Sequence, residues 1–528
     1  MSRRAAVVGS GPNGLTAACL LAQAGWEVTV YEAAEAPGGA LRSAELFRAE
    51  PGRGILGGEG VISDLGASVF PFGPPPVPGL ERHGLEYLSP VIPAAHGLDH
   101  GAPPALLHST VAATAAGLGD DGAAWTRLFE PVVRNWDRVL RAGLTPVTAP
   151  LSNLGADTPA QRIGALLQIG GRGAWPSTWL QQIFSGEPAK ALFAGVAGHA
   201  TTDLRAPLTT AFGLLLGAAA QAHGWPVARG GSGEVVRALV AELEAHGGVL
   251  VTNRRIEGLE DLRAAAGGAS GAGAAAAAQT RPGYDAVLLD ITPGQLRSFG
   301  GLRLPRGYSR ALSRWNYGAG IVKIDYLLEG PIPWRHEQMG QAGTVHLGGG
   351  AAQLAAAEAA AVRGVLPGRP YVLLTQPSVA DPSRTPDERT VAWAYAHVPG
   401  GLSGSAATRA ALMIEAEIEA QAPGFGTAVL ARKLWSPADL QEWNPNLVGG
   451  SISAGAPTLG QFLARPALRA DPYRVPHSAA EPPGVPEGLP AGAADAGVYL
   501  CSASTPPGGG AHGMAGYHAA QSVLRRHS

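Results

Sequence analysis

The chain has 528 residues, 46 % of them hydrophobic and 15 % charged, and a formal net charge of −2. This balance excludes an intrinsically disordered protein, and the length exceeds a single domain of roughly 100–200 residues. The 39 Lys and Arg residues nearly match the 41 Asp and Glu residues, without a long basic run, which argues against a nucleic-acid-binding surface. The 75 glycines raise the question of whether they fill loops or approach a ligand.

The first predicted unit is a strand, a glycine-rich turn, a helix and a second strand. Ala5–Val8 is a short apolar run of the kind that forms a buried parallel strand. The predicted helix ends at Gly25, and the second strand, Val28–Tyr31, is followed directly by Glu32. The turn between the first strand and the helix fits the G-x-G-x-x-G pattern and consists of Gly9, Ser10, Gly11, Pro12, Asn13 and Gly14.

Each part of this unit has a role in binding a dinucleotide. Gly9 permits the tight turn, Gly11 lets the backbone approach a pyrophosphate, and Gly14 allows the helix to pack closely on the strand. The helix N-terminus offers free N–H groups to the phosphates, with Ser10 and Asn13 beside them. Glu32 is placed to accept hydrogen bonds from the hydroxyls of an adenosine ribose. The sequence therefore predicts a Rossmann-like dinucleotide-binding unit.

A second glycine pair, Gly38-Gly39, follows six residues after Glu32 and precedes Arg42. The pattern resembles that of the two-dinucleotide-binding-domain flavoproteins, in which E-x(5)-G-G-x-x-[RS] contacts FAD. This resemblance implies FAD as the cofactor and adds Gly38, Gly39 and Arg42 to its binding residues. Phytoene desaturases usually carry arginine directly after the glycine pair, where this chain has Ala40.

The middle of the chain contains a second helical stretch, residues 234–246, and two apolar runs, residues 249–251 and 286–289. Amine-oxidase and phytoene-desaturase flavoproteins re-enter the FAD domain in a similar way, and there the position that matches Ile256 lends its backbone to the adenine. Two alanine-, glycine- or proline-rich stretches are predicted to be flexible surface insertions: residues 264–280 and 478–497.

The C-terminal segment contains a predicted strand, residues 498–501, a glycine-rich loop and a predicted helix, residues 515–525. Only 15 residues follow Gly513, so this is no second Rossmann unit, but a glycine loop before a helix forms an anion site. Such a site suits the flavin edge that becomes negative on reduction. The loop resembles the closing motif of bacterial-type phytoene desaturases, G-A-G-T-x-P-G-x-G-x-P-G, at Thr505, Pro507, Gly508, Gly510 and Gly513.

The chain also resembles the phytoene-dehydrogenase-related group, which includes proteins called pyridine nucleotide-disulfide oxidoreductase domain-containing protein 2. The shared patterns are G-S-G-P-N-G-L and C-S-A-x-T-P-P-G-G-G-x-H-G-M. The resemblance implies FAD contacts at Gly510, Gly513 and Met514. The only cysteines, Cys19 and Cys501, are far apart, so a dithiol redox centre and a cysteine-rich zinc site are excluded.

The predicted fold is α/β, with a Rossmann-like FAD-binding domain and an inserted α+β substrate domain. A helix is predicted over Trp125–Leu140, and the tryptophans of the substrate domain are expected mostly to fill its core. The predicted segments alternate between the FAD-binding and the substrate domain, in the order 1–97, 98–225, 226–300, 301–489 and 490–528.

These features predict an FAD-dependent oxidoreductase that desaturates or dehydrogenates a hydrophobic, carotenoid- or polyene-like substrate by hydride transfer to flavin N5. Electrons would pass to oxygen, a quinone or another acceptor. His512 is the candidate catalytic residue, whereas His199 is better explained as a buried structural histidine. A flavin amine oxidase, a redox-neutral flavin isomerase and a non-catalytic FAD-fold protein remain alternatives. No metal site is expected.

The predicted location is cytoplasmic. The longest apolar segment, Leu208–Ala222, falls short of the roughly 18 residues that a membrane span needs. Peripheral contact with a membrane would give access to a lipid-phase substrate. The oligomeric state is left open by the sequence.

Overall fold

The structure, a computed structural model, describes residues 2–48, 60–146, 171–267, 283–479 and 497–528. The strands are β1 (Arg4–Val8), β2 (Glu27–Tyr31), β3 (Ser43–Ala44), β4 (Ser63–Asp64), β5 (Tyr87–Leu88), β6 (Ile92–His96), β7 (Ala105–Leu107), β8 (Val227–Ala228), β9 (Val249–Val251), β10 (Ala286–Leu289), β11 (Leu302–Arg303), β12 (Gly320–Leu328), β13 (Ala342–Leu347), β14 (Val372–Thr375), β15 (Thr390–Val398), β16 (Val429–Trp435), β17 (Ser478–Ala479) and β18 (Gly497–Leu500). The α-helices are α1 (Pro12–Gln23), α2 (Val111–Ala116), α3 (Gly122–Arg134), α4 (Trp136–Gly143), α5 (Ser177–Leu180), α6 (Glu187–Gly198), α7 (Thr209–His223), α8 (Gly233–Ala245), α9 (Leu259–Gly267), α10 (Pro293–Ser298), α11 (Arg306–Ser313), α12 (Ala351–Val362), α13 (Pro377–Ala380), α14 (Gly404–Gln421), α15 (Phe425–Ala428), α16 (Pro437–Trp443), α17 (Leu459–Leu463) and α18 (Met514–His527).

A parallel sheet combines strands from three distant parts of the chain in the order β18-β10-β1-β2-β9. Val8, at the end of β1, pairs with Tyr31 on one side and Leu289 on the other. The strand order therefore reverses at β1, and ligands of such sheets bind in the crevice at the carboxyl ends of the strands near that point. The Rossmann-like prediction for this part of the chain is confirmed.

Both faces of the parallel sheet are covered, because successive side chains of a strand point to opposite sides. Ala5 and Val7 pack with α1, α8 and α18, and Leu15 at the centre of that layer is fully buried. Ala6 and Val8 pack on the opposite face with α9, α10 and α11. The first two strands were predicted from short apolar runs. Each begins one residue before its predicted start and ends at its predicted last residue.

The second sheet has the order β16-β12-β15-β14-β13-β6-β7 and is antiparallel apart from the β6–β13 pair. Helices α3, α6, α7 and α12 cover one face, and α14 covers the other. Mixed α/β architecture with an inserted α+β part is thus confirmed. Strand β6 precedes the predicted boundary at residue 97 and nevertheless joins the second sheet. The five-segment division itself stays a prediction.

Two local predictions differ from the structure. The stretch Trp125–Leu140 is not one helix: the backbone of Asn135 leaves the helical region, with φ −110° and ψ 24°, and separates α3 from α4. The predicted insertion 264–280 begins inside α9, and 478–497 begins with β17, which pairs with β11. Residues 268–280 and 480–496 of these stretches lie outside the described residues, and Gly497 begins β18. Across the described part of the chain, no helix is long and apolar enough to cross a membrane.

A buried ionic cluster joins the second sheet to the loops around the parallel sheet. The guanidinium of Arg384 is fully buried and lies 2.9 Å from Asp64 and 2.8 Å from Asp381. Asp64 also accepts hydrogen bonds from the hydroxyl groups of Ser43 and Ser232. The cluster therefore holds together the two surfaces that enclose the site described next.

Candidate functional site

A cavity of about 1140 Å³ lies between the carboxyl ends of the parallel strands and one face of the second sheet. One end is lined by residues that follow β1, β2, β10 and β18, and the other by side chains of β12 to β15. Single small-molecule pockets usually measure roughly 300–1,000 Å³. The cavity is therefore larger than the usual pocket for one small molecule.

The first glycine turn has the geometry that its sequence predicts. Gly9 has φ +98°, in the left-handed region, and a Cβ on Gly14 would collide with the carbonyl oxygen of Gly9. Helix α1 begins after Gly11 without a side-chain cap. Pro12 has no N–H and the N–H of Gly14 donates to Asp290, so a diphosphate expected at this end of the cavity would meet the N–H of Asn13, which lines it.

Glu32 lies beside this turn and is held by the backbone. Its Oε2 accepts from the N–H and the hydroxyl of Ser10 at 2.9 and 2.6 Å, and its Oε1 accepts from the N–H of Ala34 at 2.9 Å. A carboxylate has about four acceptor positions, so Glu32 keeps capacity for a ribose hydroxyl.

The second glycine pair packs directly on the first turn. The N–H of Gly38 donates to the carbonyl of Ser10 at 3.0 Å, and a Cβ on Gly39 would lie 3.0 Å from Cα of Gly11. Arg42 stacks over the Trp443 ring at 4.7 Å and donates to the Trp443 carbonyl. Burial lowers the pKa of Arg42, while the charge of Glu32 opposes that shift.

The C-terminal loop returns to the start of α1. A Cβ on Gly513 would collide with the Thr16 hydroxyl, and one on Gly516 with the carbonyl of Asn13. Asn13 also accepts weakly from the N–H of Gly516, at 3.4 Å. Close packing of α18 on α1 thus depends on glycine at these contacts.

His512 borders the cavity, but its ring is oriented by the loop backbone. Its Nδ1 accepts from the N–H of Met514 at 3.1 Å, at the first turn of α18. Burial lowers the pKa of His512 to about 4, so the ring is neutral near pH 7. The geometry shows a helix-capping contact, and the predicted catalytic role stays a prediction.

The predicted site residues fall into two groups. Those that line the cavity are Gly9, Ser10, Gly11, Asn13, Glu32, Gly39, Arg42, Ile256, Gly510 and His512. Those that do not are Gly14, Gly38, Gly513 and Met514. The three glycines of the second group allow close packing between elements, and Met514 begins α18.

Several polar residues of the cavity were missed by the sequence analysis. Asp290, directly after β10, accepts from the N–H of Gly14 at 3.2 Å. Burial raises the pKa of Asp290 to about 7, and the charge of Glu32 adds to the shift. The side chain of Asn446 donates to the carbonyl of Asp290 at 2.8 Å. The spacing of these residues in the sequence matches no known motif. An acidic residue at the end of a predicted parallel strand could nevertheless have indicated a ligand-binding position.

Two buried cations also border the cavity. Lys323 of β12 pairs with Asp325 and lies 5.1 Å from the centre of the Trp393 ring. Arg465 donates to the carbonyls of Ser453 and Ala503, both at 2.9 Å, and burial lowers its pKa to about 10. Ala503 belongs to the C-terminal glycine-rich loop, so Arg465 adds positive charge beside the predicted anion site.

The wall opposite the glycine turns is mostly apolar. Its side chains include Leu208, Phe212, Leu215, Leu216, Trp225 and Tyr395. His199, in the same wall, has its Nε2 2.9 Å from Nε2 of His346. Burial lowers the pKa of His199 to about 3 and that of His346 well below its usual value. The pair is therefore neutral near pH 7 and leaves Nδ1 of His199 for a molecule in the cavity.

The sequence is similar to a protein family and to named mammalian proteins. The profile of the flavin-containing amine oxidoreductase family matches residues 13–394. Pyridine nucleotide-disulfide oxidoreductase domain-containing protein 2 is 26 % identical in Rattus norvegicus, over 99 % of this chain and 93 % of the rat protein. The Mus musculus protein is 25 % identical, with the same coverage.

Solved structures share the fold at low identity. An oxidoreductase from Methanosarcina mazei matches 99 % of this chain and 100 % of its own, with TM-score 0.53 and 14 % identity. A putrescine oxidase variant matches 100 % of this chain and 99 % of its own, with TM-score 0.55 and 13 % identity. Cyclohexylamine oxidase from Brevibacterium oxydans matches the same shares, with TM-score 0.51 and 13 % identity.

The family match covers more than half of the chain, and the glycine turns, Glu32 and the large cavity fit the dinucleotide cofactor of that family. The chain therefore belongs to the flavin-containing amine oxidoreductase family and is an FAD-dependent oxidoreductase.

Proposed function

We propose that the chain dehydrogenates or desaturates an apolar, polyene-like substrate. The observation that carries this proposal is the shape of the cavity, which runs from the glycine turns to the apolar wall of Leu215, Leu216 and Trp225. Within the described residues, that wall contains no carboxylate. Such a surface favours a substrate that gains binding free energy by leaving water, about 25 cal/mol for each Å² of apolar area buried.

FAD, when bound, supplies a two-electron acceptor for a hydride from the substrate. The side chains of this protein contribute binding, orientation and exclusion of water. The first glycine turn, α1 and Glu32 hold the adenosine diphosphate end, and Arg465 lies beside the loop proposed to hold the flavin. Trp393 and Tyr395 stack with ring centres 5.7 Å apart and give the substrate a flat apolar contact. The neutral His199–His346 pair offers one hydrogen-bonding point without adding charge.

Oxidation of an amine is the second candidate function. The family match and the stacked Trp393–Tyr395 pair support it, because aromatic faces attract the ammonium form of an amine. A redox-neutral isomerisation of a polyene remains the third candidate. The same proposal includes oxygen, a quinone or another molecule as the electron acceptor, and a cytoplasmic location. It also includes peripheral contact with a membrane, because an apolar substrate would be collected from lipid.

The test is anaerobic reduction of the purified yellow protein. Carotenoid-like polyenes and small primary amines are added separately, and the flavin absorbance is followed without oxygen. Bleaching by polyenes supports dehydrogenation, whereas bleaching by amines alone replaces it with amine oxidation. Conversion of a polyene without bleaching in the steady state indicates isomerisation.

A matched pair of variants connects the result with the cavity wall. Leu215→Asp places a carboxylate in the apolar wall and is expected to slow reduction by a polyene at least 10-fold, with FAD retained. Leu430→Asp changes an exposed leucine of β16 outside the cavity and is expected to leave reduction unchanged. Equal rates in both variants contradict the proposed position of the substrate. A protein without bound FAD contradicts the whole proposal.

A further inference from the structure

A buried carboxyl group stands opposite the glycine turn that is expected to receive the diphosphate. A Cβ on Gly11 would lie 2.7 Å from Oδ2 of Asp290, and one on Gly9 would lie 3.0 Å from the Asp290 carbonyl oxygen. Asp290 itself is only 6 % exposed. The acid is therefore packed against the same backbone that glycine opens to a ligand.

The surroundings of Asp290 supply little to balance a negative charge. On α1, the N–H of Gly14 donates to Oδ2, and the side chain of Asn446 bonds only to the backbone carbonyl. The ionisable groups that face it are the carboxylate of Glu32, after β2, and the thiol of Cys501, after β18. Within the described residues, no lysine, arginine or histidine forms an ion pair with Asp290.

A diphosphate at this turn adds fixed negative charge beside Asp290 and Glu32. Repulsion between like charges in a buried site disfavours a second or third anion there. An ionised Asp290 would also compete with the phosphates for the first amides of α1. A protonated Asp290 removes the repulsion and has an O–H to donate to an acceptor oxygen.

We propose that Asp290 is a neutral carboxylic acid in the FAD complex, so that FAD binding takes up one proton at Asp290 when the pH is above neutral. The proton comes from the buffer and forms an O–H bond on the carboxylate, and no other bond changes. The inference rests on the proposed placement of FAD in the cavity. It adds a binding residue whose protonation state controls the affinity.

The expected change in FAD affinity follows from the pKa of Asp290 in the protein without FAD. Burial raises the pKa of Asp290 to about 7, so the neutral form falls from most of the population at pH 6 to about one part in 30 at pH 8.5. If only that form binds, the apparent Kd rises by about 30-fold over this interval. The phosphates of FAD do not titrate in it.

The experiment measures FAD affinity of the full chain after removal of bound cofactor. Flavin fluorescence gives the Kd at pH 6, 7 and 8.5 for the wild type, for Asp290→Asn and for Asp285→Asn. Asparagine at 290 keeps an acceptor for the N–H of Gly14 but stays neutral. The Kd of Asp290→Asn should therefore change less than about 3-fold between pH 6 and pH 8.5, and at pH 8.5 it should be the lowest of the three proteins. Asp285, just before the same strand, accepts from the N–H of Arg4, and its variant should keep the wild-type pH dependence.

Calorimetry of the wild type is a second readout that requires no variant to fold. FAD titrations at pH 8 in phosphate and in Tris, which differ in ionisation enthalpy, should show uptake of about one proton per FAD. A wild-type Kd that is independent of pH, an unchanged pH dependence in Asp290→Asn, or the absence of proton uptake overturns the inference but not the FAD site. Failure of the wild type to bind FAD at any pH contradicts the site itself.

Discussion

Replacement of Arg384 by methionine tests whether the buried ionic cluster holds the cavity together. Arg384 is fully buried and donates to Asp64 at 2.9 Å, to Asp381 at 2.8 Å and to the carbonyl of Ala228 at 3.2 Å. Methionine has a similar length but no charge, so both carboxylates would remain buried without their cation. Removal of one partner of a buried ion pair typically costs about 3–5 kcal/mol.

The expected loss lies in the lower part of that range, at about 3–4 kcal/mol. Asp64 keeps the hydroxyl and N–H donors of Ser232, and Asp381 keeps those of Ser383. These neutral donors compensate part of the charge. In the control Arg134→Met, an exposed pair with Glu130 on one helix is lost, which costs about 0.3–0.5 kcal/mol.

The assay is denaturation of the FAD-loaded protein at pH 8 and pH 5.5, followed by tryptophan fluorescence. Although burial opposes ionisation, the Arg384 charge and the serine donors hold the pKa of Asp64 below its ordinary value. Without the guanidinium, burial raises this pKa, so protonation at pH 5.5 should relieve part of the loss. A loss of less than 1 kcal/mol at pH 8, or the same loss at both pH values, would refute the reasoning.

Three further predictions concern the cofactor end and the buried histidines. Gly14→Ala should lose most of its FAD, measured as flavin absorbance per protein, because the added Cβ collides with the Gly9 carbonyl; Gly307→Ala, where nothing lies within 4 Å, should keep it. Glu32→Gln should weaken FAD binding about 10-fold, since a hydrogen bond to a charged group contributes about 1.5 kcal/mol; an unchanged Kd contradicts ribose binding. Burial lowers the pKa of His96 to about 4, so the unfolded chain binds a proton at His96 at a higher pH than the folded protein does. The free energy of unfolding therefore falls as the pH decreases from 6.5 towards 4. The loss should reach about 2 kcal/mol at pH 5, and thermal denaturation of His96→Gln should show a weaker acid dependence.

Some features of the fold and the site could be predicted because they are local in sequence. Strand, glycine turn, helix, strand and Glu32 follow one another within a short segment, and each restricts the backbone in a way that few residue types allow. The second glycine pair and the C-terminal loop carry similar restrictions. The approach of these glycine-rich segments to one edge of the cavity could be predicted, because the resemblance implied a shared parallel sheet.

Other features could not be predicted, because they depend on contacts between residues far apart in the chain. Nothing near Asp290 in sequence indicates that it faces Gly14, 276 positions earlier. The pairing of His199 with His346, and of Arg384 with Asp64, likewise has no spacing pattern. Gly38 and Gly513 match cofactor motifs, yet neither lines the cavity.

The sequence by itself therefore determined the glycine turn and the parallel sheet around it, because the glycine pattern reflects local backbone geometry, and the cofactor class followed from the resemblance to known flavoproteins. Tertiary structure alone decided which isolated charged and aromatic side chains share the cavity and how far each is buried. Burial and neighbouring charge set the ionisation of Asp290 and His199, and these quantities exist only when distant segments are packed together.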